Sequence, residues 1–154
     1  MSDYILPEVW ENPTSMGGAW GGLNQPTAGA RFEQTLPKGD QPFQLYTLPT
    51  PNGIKATIML EELKELGVTQ AGYDAYRIKI GDGDQFGSDF VSINPNSKIP
   101  AMMDYSEDQP VRVFESANIL LYLAEKLANS FQLITQNVRK FSTGSFGKQV
   151  LLLF

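Results

Sequence analysis

Between Phe43 and Leu127 the apolar positions recur with two different periods, and the order of those blocks predicts the fold. Phe43, Leu45, Tyr46 and Leu48 form a short β-rich run that ends at the turn cluster Pro49-Thr50-Pro51-Asn52-Gly53. Ile54, Ile58, Leu60, Leu63 and Leu66 then return at three- and four-residue spacing with Glu61, Glu62 and Lys64 between them, which predicts a helix; Gly67 fits its C-terminus. Tyr73 to Ile78 alternates as a second strand and leads into the Gly-Asp-rich loop Gly81 to Asp84, which completes a βαβ unit. A short irregular helix is expected through Gln85 to Ile93. Strands follow at Ile99 to Met103 and Val111 to Phe114 around the turn Ser106 to Pro110, then a helix that opens at Glu115 and runs through Ala117 to Lys126. The predicted order is βαβ then αββα, an α/β class.

Flanking this block the pattern is lost. Residues 1–41 are rich in Gly, Pro, Asn and polar residues, with Tyr4, Trp10, Trp20 and Phe32 at no regular period. This segment reads as an irregular arm, and its two tryptophans favour an arm packed on the surface over a floppy tail. The pairs Gly17-Gly18 and Gly21-Gly22 lack the following Gly-Lys-Ser/Thr and the preceding strand of a phosphate-binding loop. Residues 42–127 form the expected domain, and residues 128–154 a poorly ordered tail.

Composition narrows the chemistry. The chain has 154 residues, 42% of them hydrophobic, enough for one ordinary core. A net charge of −5 argues against sequence-independent nucleic-acid binding, because no dense Lys/Arg stripe is present to displace phosphate counterions. No apolar run approaches a bilayer span, and Met1 to Trp10 lacks a basic region followed by an apolar segment, so a cytoplasmic location without membrane association is expected. The absence of cysteine and histidine excludes thiol nucleophiles, disulfides, Cys/His zinc sites and imidazole bases within this chain. Any thiol chemistry must use the thiol of a ligand. Asp82, Asp84 and Asp89 lack the ligand ladder and terminal glutamate of an EF-hand loop, and a solvated turn is the better account.

Two phrases carry the candidate site. In Asn94-Pro95-Asn96-Ser97-Lys98-Ile99-Pro100-Ala101, the Ile-Pro step ahead of a strand is a place where a cis peptide bond can be held, leaving backbone groups aimed outward. In Val113-Phe114-Glu115-Ser116, the last two residues stand where free N–H groups and the positive end of a helix dipole accept a carboxylate. Together they suit a zwitterionic peptide. Thr50 and Asn52 lie between the first strand and first helix, where a hydroxyl, an amide and helix-start N–H groups can donate to an anion. Ser116 also reads as a plain helix cap, Lys98 as a loop charge, and Met59, Met102 and Met103 as core filler. Tyr46 lies within the first strand and is expected in the core.

This element order, with the Ile99-Pro100 step and the Glu115-Ser116 pair in place, resembles the thioredoxin-like N-terminal domain of the cytosolic glutathione transferases. The phrases Thr50-Pro51-Asn52-Gly53, Thr57 to Leu63, Ile80 to Phe86, Asn94 to Ala101 and Arg112 to Ser116 are similar to the bacterial Nu class, glutathione-dependent disulfide-bond reductases. Leu23-Asn24-Gln25-Pro26 and Lys38-Gly39 extend the resemblance into the arm, which covers about Trp10 to Leu127 in all. It implies glutathione as co-substrate, with Glu115 and Ser116 holding the γ-glutamyl group and the Ile99 backbone, fixed by Pro100, pairing with the cysteinyl backbone. Lys98 would reach a carboxylate, and Asn24, Pro51 and Gln85 would add contacts. Thr50 and Asn52 would stabilise the thiolate, the nucleophilic form of a thiol. The class holds two glutathione molecules per subunit, which suits exchange with a small disulfide. Intact members are homodimers with a second, all-helical domain.

That second domain is expected to be missing here. After Leu127 the chain turns Gln-, Ser-, Thr- and Lys-rich and stops at Val150-Leu151-Leu152-Leu153-Phe154, without amphipathic period or capping. We expect a shifted-frame reading of the gene over this tail, which its nucleotide sequence tests. Loss of the second domain is expected to expose the apolar faces of the first and third helices. The alternative to a reductase is then a non-catalytic glutathione-binding or interaction module.

Overall fold

A computed structural model of the chain describes residues 28–127 continuously, together with residues 5, 8, 9 and 21–23. The expected tail 128–154, most of the arm aromatics and Asn24 lie outside the described residues. The elements are β1 (Phe43–Thr47), α1 (Gly53–Glu65), β2 (Tyr73–Arg77), α2 (Ser88–Ile93), β3 (Ala101–Asp104), β4 (Val111–Phe114) and α3 (Ser116–Lys126). They form one four-stranded sheet in the order β2-β1-β3-β4. β1 runs parallel to β2 and antiparallel to β3, and β3 runs antiparallel to β4. This is the thioredoxin-like architecture that the element order predicts.

Alternation along each strand splits the core into two layers. Phe43 and Leu45 of β1, Met102 of β3 and Val113 of β4 join Ala56, Leu60 and Leu63 of α1 and Ile119 and Leu123 of α3 on one face. Tyr46, Ala101, Met103 and Phe114 point to the other face and meet Phe90 and Ile93 of α2. Truncating a buried leucine such as Leu60 to alanine is worth ~2–5 kcal/mol at a site of this kind. The chain leaves α1 through Gly67, two residues past its end, whose φ of 79° is the left-handed conformation favoured in glycine just after a helix C-terminus. Predicted and observed boundaries differ by a residue or two, except after Gln85. There Asp84–Phe86 forms a separate 3₁₀ turn, and Gly87, extended at ψ 154°, divides it from α2.

Polar residues inside the sheet are paired. Gln44 is fully buried, accepts from Gly39 N–H at 2.8 Å and donates from Nε2 to Asp74 at 3.0 Å, which ties the end of the arm to β2. Asp104 is likewise buried and accepts from the Tyr122 hydroxyl at 2.6 Å, from Ser106 N–H at 2.7 Å and from Lys126 at 3.0 Å. Burial alone would raise the Asp104 carboxyl, but the Tyr122, Ser106 and Lys126 donors outweigh it and hold it below the usual carboxylate range. Ile54 and Ile58 of α1 and Leu121 of α3 are exposed, and an apolar groove of about 560 Å³ runs beside α1. Among the described residues no helix is long and apolar enough to cross a membrane.

Candidate functional site

Strand direction brings the sequence-predicted residues to one end of the sheet. Tyr46 pairs with Ala101 and Ala101 with Phe114, so the end of β1, the start of β3 and the end of β4 lie side by side. The segments that continue from those ends are Leu48–Asn52, Ile99-Pro100 and Glu115-Ser116. The sheet thereby gathers three loops that are far apart in sequence.

The first loop is built around Thr50. Its Oγ1 accepts from Gly53 N–H at 3.0 Å and its carbonyl from Ile54 N–H at 3.0 Å, so Thr50 closes the first turn of α1. With the oxygen lone pair so used, the single hydroxyl proton remains to be donated to something else. Gly53 permits the approach: a Cβ there would collide with the Leu48 carbonyl oxygen. Asn52, exposed, accepts from Lys55 Nζ at 2.9 Å through Oδ1, and its Nδ2 is not engaged among the described residues. Pro51 is exposed between them.

The second loop is held from beneath by Asn94, a residue whose role the sequence reading does not assign. Asn94 is fully buried; its Nδ2 donates to the Lys98 carbonyl at 2.6 Å and its Oδ1 accepts from Asn96 N–H at 3.0 Å. Its own carbonyl accepts from Ser97 N–H at 3.0 Å, and Ser97 takes a φ of 53°. One buried side chain thus pins both sides of the turn that precedes Ile99. The Ile99-Pro100 peptide bond is cis. Among the described residues no backbone hydrogen bond engages Ile99, which leaves its N–H and C=O for an added strand. The signal for Asn94 was present in the turn-forming run Asn94 to Ser97, but that run alone does not say which asparagine is buried.

The third segment begins at Glu115, whose φ of 68° and ψ of 123° put a non-glycine residue in a sparsely populated region of about 1–3 kcal/mol cost. Asn96 Nδ2 reaches Glu115 Oε1 at 3.4 Å, linking the second and third segments. Ile119 N–H already bonds the Glu115 carbonyl, so the N–H groups of Ser116, Ala117 and Asn118 are the donors that the helix itself does not satisfy. With the Ser116 hydroxyl they make a carboxylate-binding corner, and the neighbouring Glu115 carboxylate suits an ammonium group.

Lys98 directly precedes Ile99 in the second loop, and Gln85 lies in the 3₁₀ turn that follows β2. Gln85 is buried, donates from Nε2 to the Ile80 carbonyl at 3.3 Å, and has a buried Oε1 without a hydrogen-bond partner among the described residues. A buried acceptor left unpaired is costly and calls for a donor. Lys98 Nζ donates to the Leu23 carbonyl at 3.1 Å, so the arm reaches the loop that precedes Pro100. The arm is fastened again where Gln34 N–H donates to Ser88 Oγ and Leu36 N–H to Asp89 Oδ2, both at 2.9 Å. Asp84 Oδ2 accepts from Lys79 N–H at 2.9 Å, and among the described residues no acidic cluster has the arrangement to hold a metal ion.

Tyr46 is in the core, as its strand position predicts. Its hydroxyl donates to the Pro37 carbonyl at 2.9 Å, and burial, with Tyr105 and Tyr76 nearby, pushes the phenol up to about 12. It keeps its proton at neutral pH and spends it inside the protein.

A thioredoxin-like sheet whose cis-proline loop stands beside a helix start defines a class of peptide- and thiol-handling domains. Residues 51–126 match the family model described as glutathione S-transferase, N-terminal domain, and this chain carries that domain. It is 61% identical over 123 residues to the disulfide-bond oxidoreductase YghU of Escherichia coli strain K12, covering 80% of this chain and 43% of that protein. Among solved structures it is similar to the glutathione transferase YghU from Streptococcus pneumoniae complexed with glutathione, at 67% identity and a TM-score of 0.77, covering 82% of this chain and 48% of that one. A glutathione transferase from Burkholderia graminis, with two glutathione molecules bound per subunit, shares 43% identity at a TM-score of 0.50 over 57% of this chain and 35% of that one. The chain therefore spans less than half the length of these relatives.

Proposed function

We propose that this chain binds glutathione across the three loops and uses the bound thiolate to reduce small disulfides. The observation that carries the reading is the convergence of the Ile99 backbone, unpaired among the described residues, the Glu115-Ser116 helix start and the Thr50 hydroxyl at one end of the sheet. The similarity to glutathione-bound relatives supports it. Ser116 and the first N–H groups of α3 hold the γ-glutamyl carboxylate, and Glu115 holds its ammonium. The Ile99 backbone pairs with the cysteinyl residue in strand fashion, which points its sulfur toward Thr50 and Asn52. Lys98 and Gln85, with Asn24 of the arm and Pro51 beside the sulfur, complete the contacts.

Donation from the Thr50 hydroxyl and Asn52 Nδ2 favours the thiolate over the thiol, whose ordinary pKa is about 8.5. The thiolate attacks one sulfur of the disulfide, forming a glutathione mixed disulfide and expelling the other half as a thiolate. A second glutathione thiolate attacks the glutathione sulfur of that mixed disulfide, releasing oxidised glutathione and the second substrate thiolate. No protein cysteine is required.

Turnover of 2-hydroxyethyl disulfide at millimolar glutathione tests the proposal. Reduction that falls at least tenfold in both Thr50→Ala and Ser116→Ala is the expected result. Glutathione binding without turnover would instead establish a binding module, and a folded chain that does neither would refute the assignment.

A further inference from the structure

Arm residues 31–34 lie along the turn that carries Gln85. Arg31 N–H donates to the Phe86 carbonyl and Ser88 N–H to the Phe32 carbonyl, both at 2.9 Å, so that Phe32 and Gly87 pair as a single parallel bridge. One bridge sets the spacing of two backbones but not the tilt of the turn beside it. Gln34 makes the further attachment. Its Nε2 donates to the Asp84 carbonyl at 3.1 Å, the same oxygen that closes the turn by accepting Gly87 N–H at 3.2 Å. Both lone pairs of that carbonyl are thereby used. The Gln34 side chain also lies directly over Gly87, where an added Cβ would collide with its Cβ, Cδ and Oε1.

The side chain that this turn presents is fixed on its donor side. Gln85 Nε2 donates to the Ile80 carbonyl at 3.3 Å, and Asp84 Oδ2 accepts from Lys79 N–H at 2.9 Å beneath it. The Gln85 Oε1 is buried and has no donor among the described residues. A buried polar group is worth its desolvation only when the partner it meets is well aligned. Its aim follows from the tilt of the turn, and Gln34 is the side chain that sets that tilt.

From this geometry we infer that Gln34 is a positioning residue for glutathione, one that aims the Gln85 amide by holding the Asp84 carbonyl. The inference rests on the glutathione reading above. It gives the arm a share in affinity and none in thiolate chemistry, since neither Gln34 nor Gln85 belongs to the Thr50 turn. Loss of such a contact raises KM and leaves kcat unchanged.

Glutathione binding by calorimetry, with steady-state reduction of 2-hydroxyethyl disulfide alongside, tests this on the full chain carrying Gln34→Ala, Gln85→Ala or both. Each single variant is expected to weaken glutathione by about three- to tenfold and to raise KM in proportion, with kcat and the pH–rate profile unmoved. The double variant should bind no more weakly than Gln85→Ala, because Gln34 acts only through that residue; a merely structural role would add its own loss. Glu33→Ala, which removes an acceptor of the Ser88 hydroxyl from the same stretch of arm, leaves affinity unchanged. Gly87→Ala crowds Gln34 off the turn from the other side at a backbone conformation any residue adopts, and it should reproduce the Gln34→Ala loss. That variant keeps the inference open to refutation if Gln34→Ala does not fold. Unchanged affinity in Gln34→Ala while Gln85→Ala weakens it, or additive losses in the double variant, would overturn the inference and leave the glutathione reading standing. Absence of glutathione binding by the unaltered, folded chain would overturn both.

Discussion

The two sides of the candidate site are built in opposite ways. Around Ile99 the backbone is set by a buried asparagine, a cis peptide bond and two non-glycine residues at positive φ, Ser97 and Glu115. Around the expected sulfur position Thr50 is half-buried, Pro51 and Asn52 are exposed, and among the described residues the side chains of Thr50 and Asn52 bond to groups within a few residues. The peptide side is a fixed mould whose geometry is over-determined by its surroundings, as a strained φ requires. The thiol side is a turn at a helix start that supplies donors. Recognition and activation are thus carried by separate structural devices, and substitutions should separate them.

The largest effect is expected from Asn94→Ala, which leaves the Lys98 carbonyl and Asn96 N–H without their buried partner. A loss of roughly 2–4 kcal/mol in unfolding free energy follows from two such unmet bonds, with glutathione binding lost alongside; thermal and urea unfolding measure it. Ser116→Ala should weaken glutathione binding about tenfold or more, ~1.4 kcal/mol or above, with stability nearly unchanged. Glu115→Gly sharpens the contrast. Relief of about 1–3 kcal/mol of backbone strain, less about 0.5–1 kcal/mol of added chain entropy, should leave the variant about 1 kcal/mol more stable while its binding weakens. If Glu115→Gly loses stability, the mould is not strained as described.

On the thiol side, Thr50→Ala should lower turnover more than binding, and Thr50→Ser should restore most of it. Its pH–rate profile should move upward, toward the ordinary thiol value of about 8.5, because a donor to the thiolate has been removed. Loss of the Gly53 cap adds about 1 kcal/mol of destabilisation, which Thr50→Ser also repairs. Equal losses of binding and turnover in Thr50→Ala and Ser116→Ala would erase the distinction between the two sides.

The smallest effect concerns acid stability, remote from the site. The Asp104 carboxyl is held low by Tyr122, Ser106 and Lys126 against the opposing effect of burial, so its ionised form favours the folded state. That contribution is fully present above the unfolded value of about 3.9 and is lost as pH falls through the lower folded value. Asp104→Asn should therefore be less stable near neutrality, with a shallower loss below about pH 4 in acid-unfolding curves.

Much of the architecture was legible because it rests on period. The helix from Gly53 buries Ala56, Leu60 and Leu63 at three- and four-residue spacing, the strands at Phe43 and Tyr73 are short β-rich runs, and helix boundaries fell near Gly67 and Glu115, where turn chemistry marks them. The Gln85 region was not resolved into a 3₁₀ turn and α2, because one glycine at ψ 154° divides them and period does not register single residues. Within the site, the exposed polar residues and the Ile-Pro step were visible as motifs. Asn94 was not, since its importance lies in complete burial beneath a turn, a property of the folded core.

Isothermal titration calorimetry of glutathione into the folded chain, repeated with Ser116→Ala and Thr50→Ala, tests the central claim most directly. The account predicts saturable binding that Ser116→Ala weakens at least tenfold and Thr50→Ala changes by no more than about threefold. No heat of binding from a folded chain, or identical isotherms for the unaltered protein and Ser116→Ala, would contradict it.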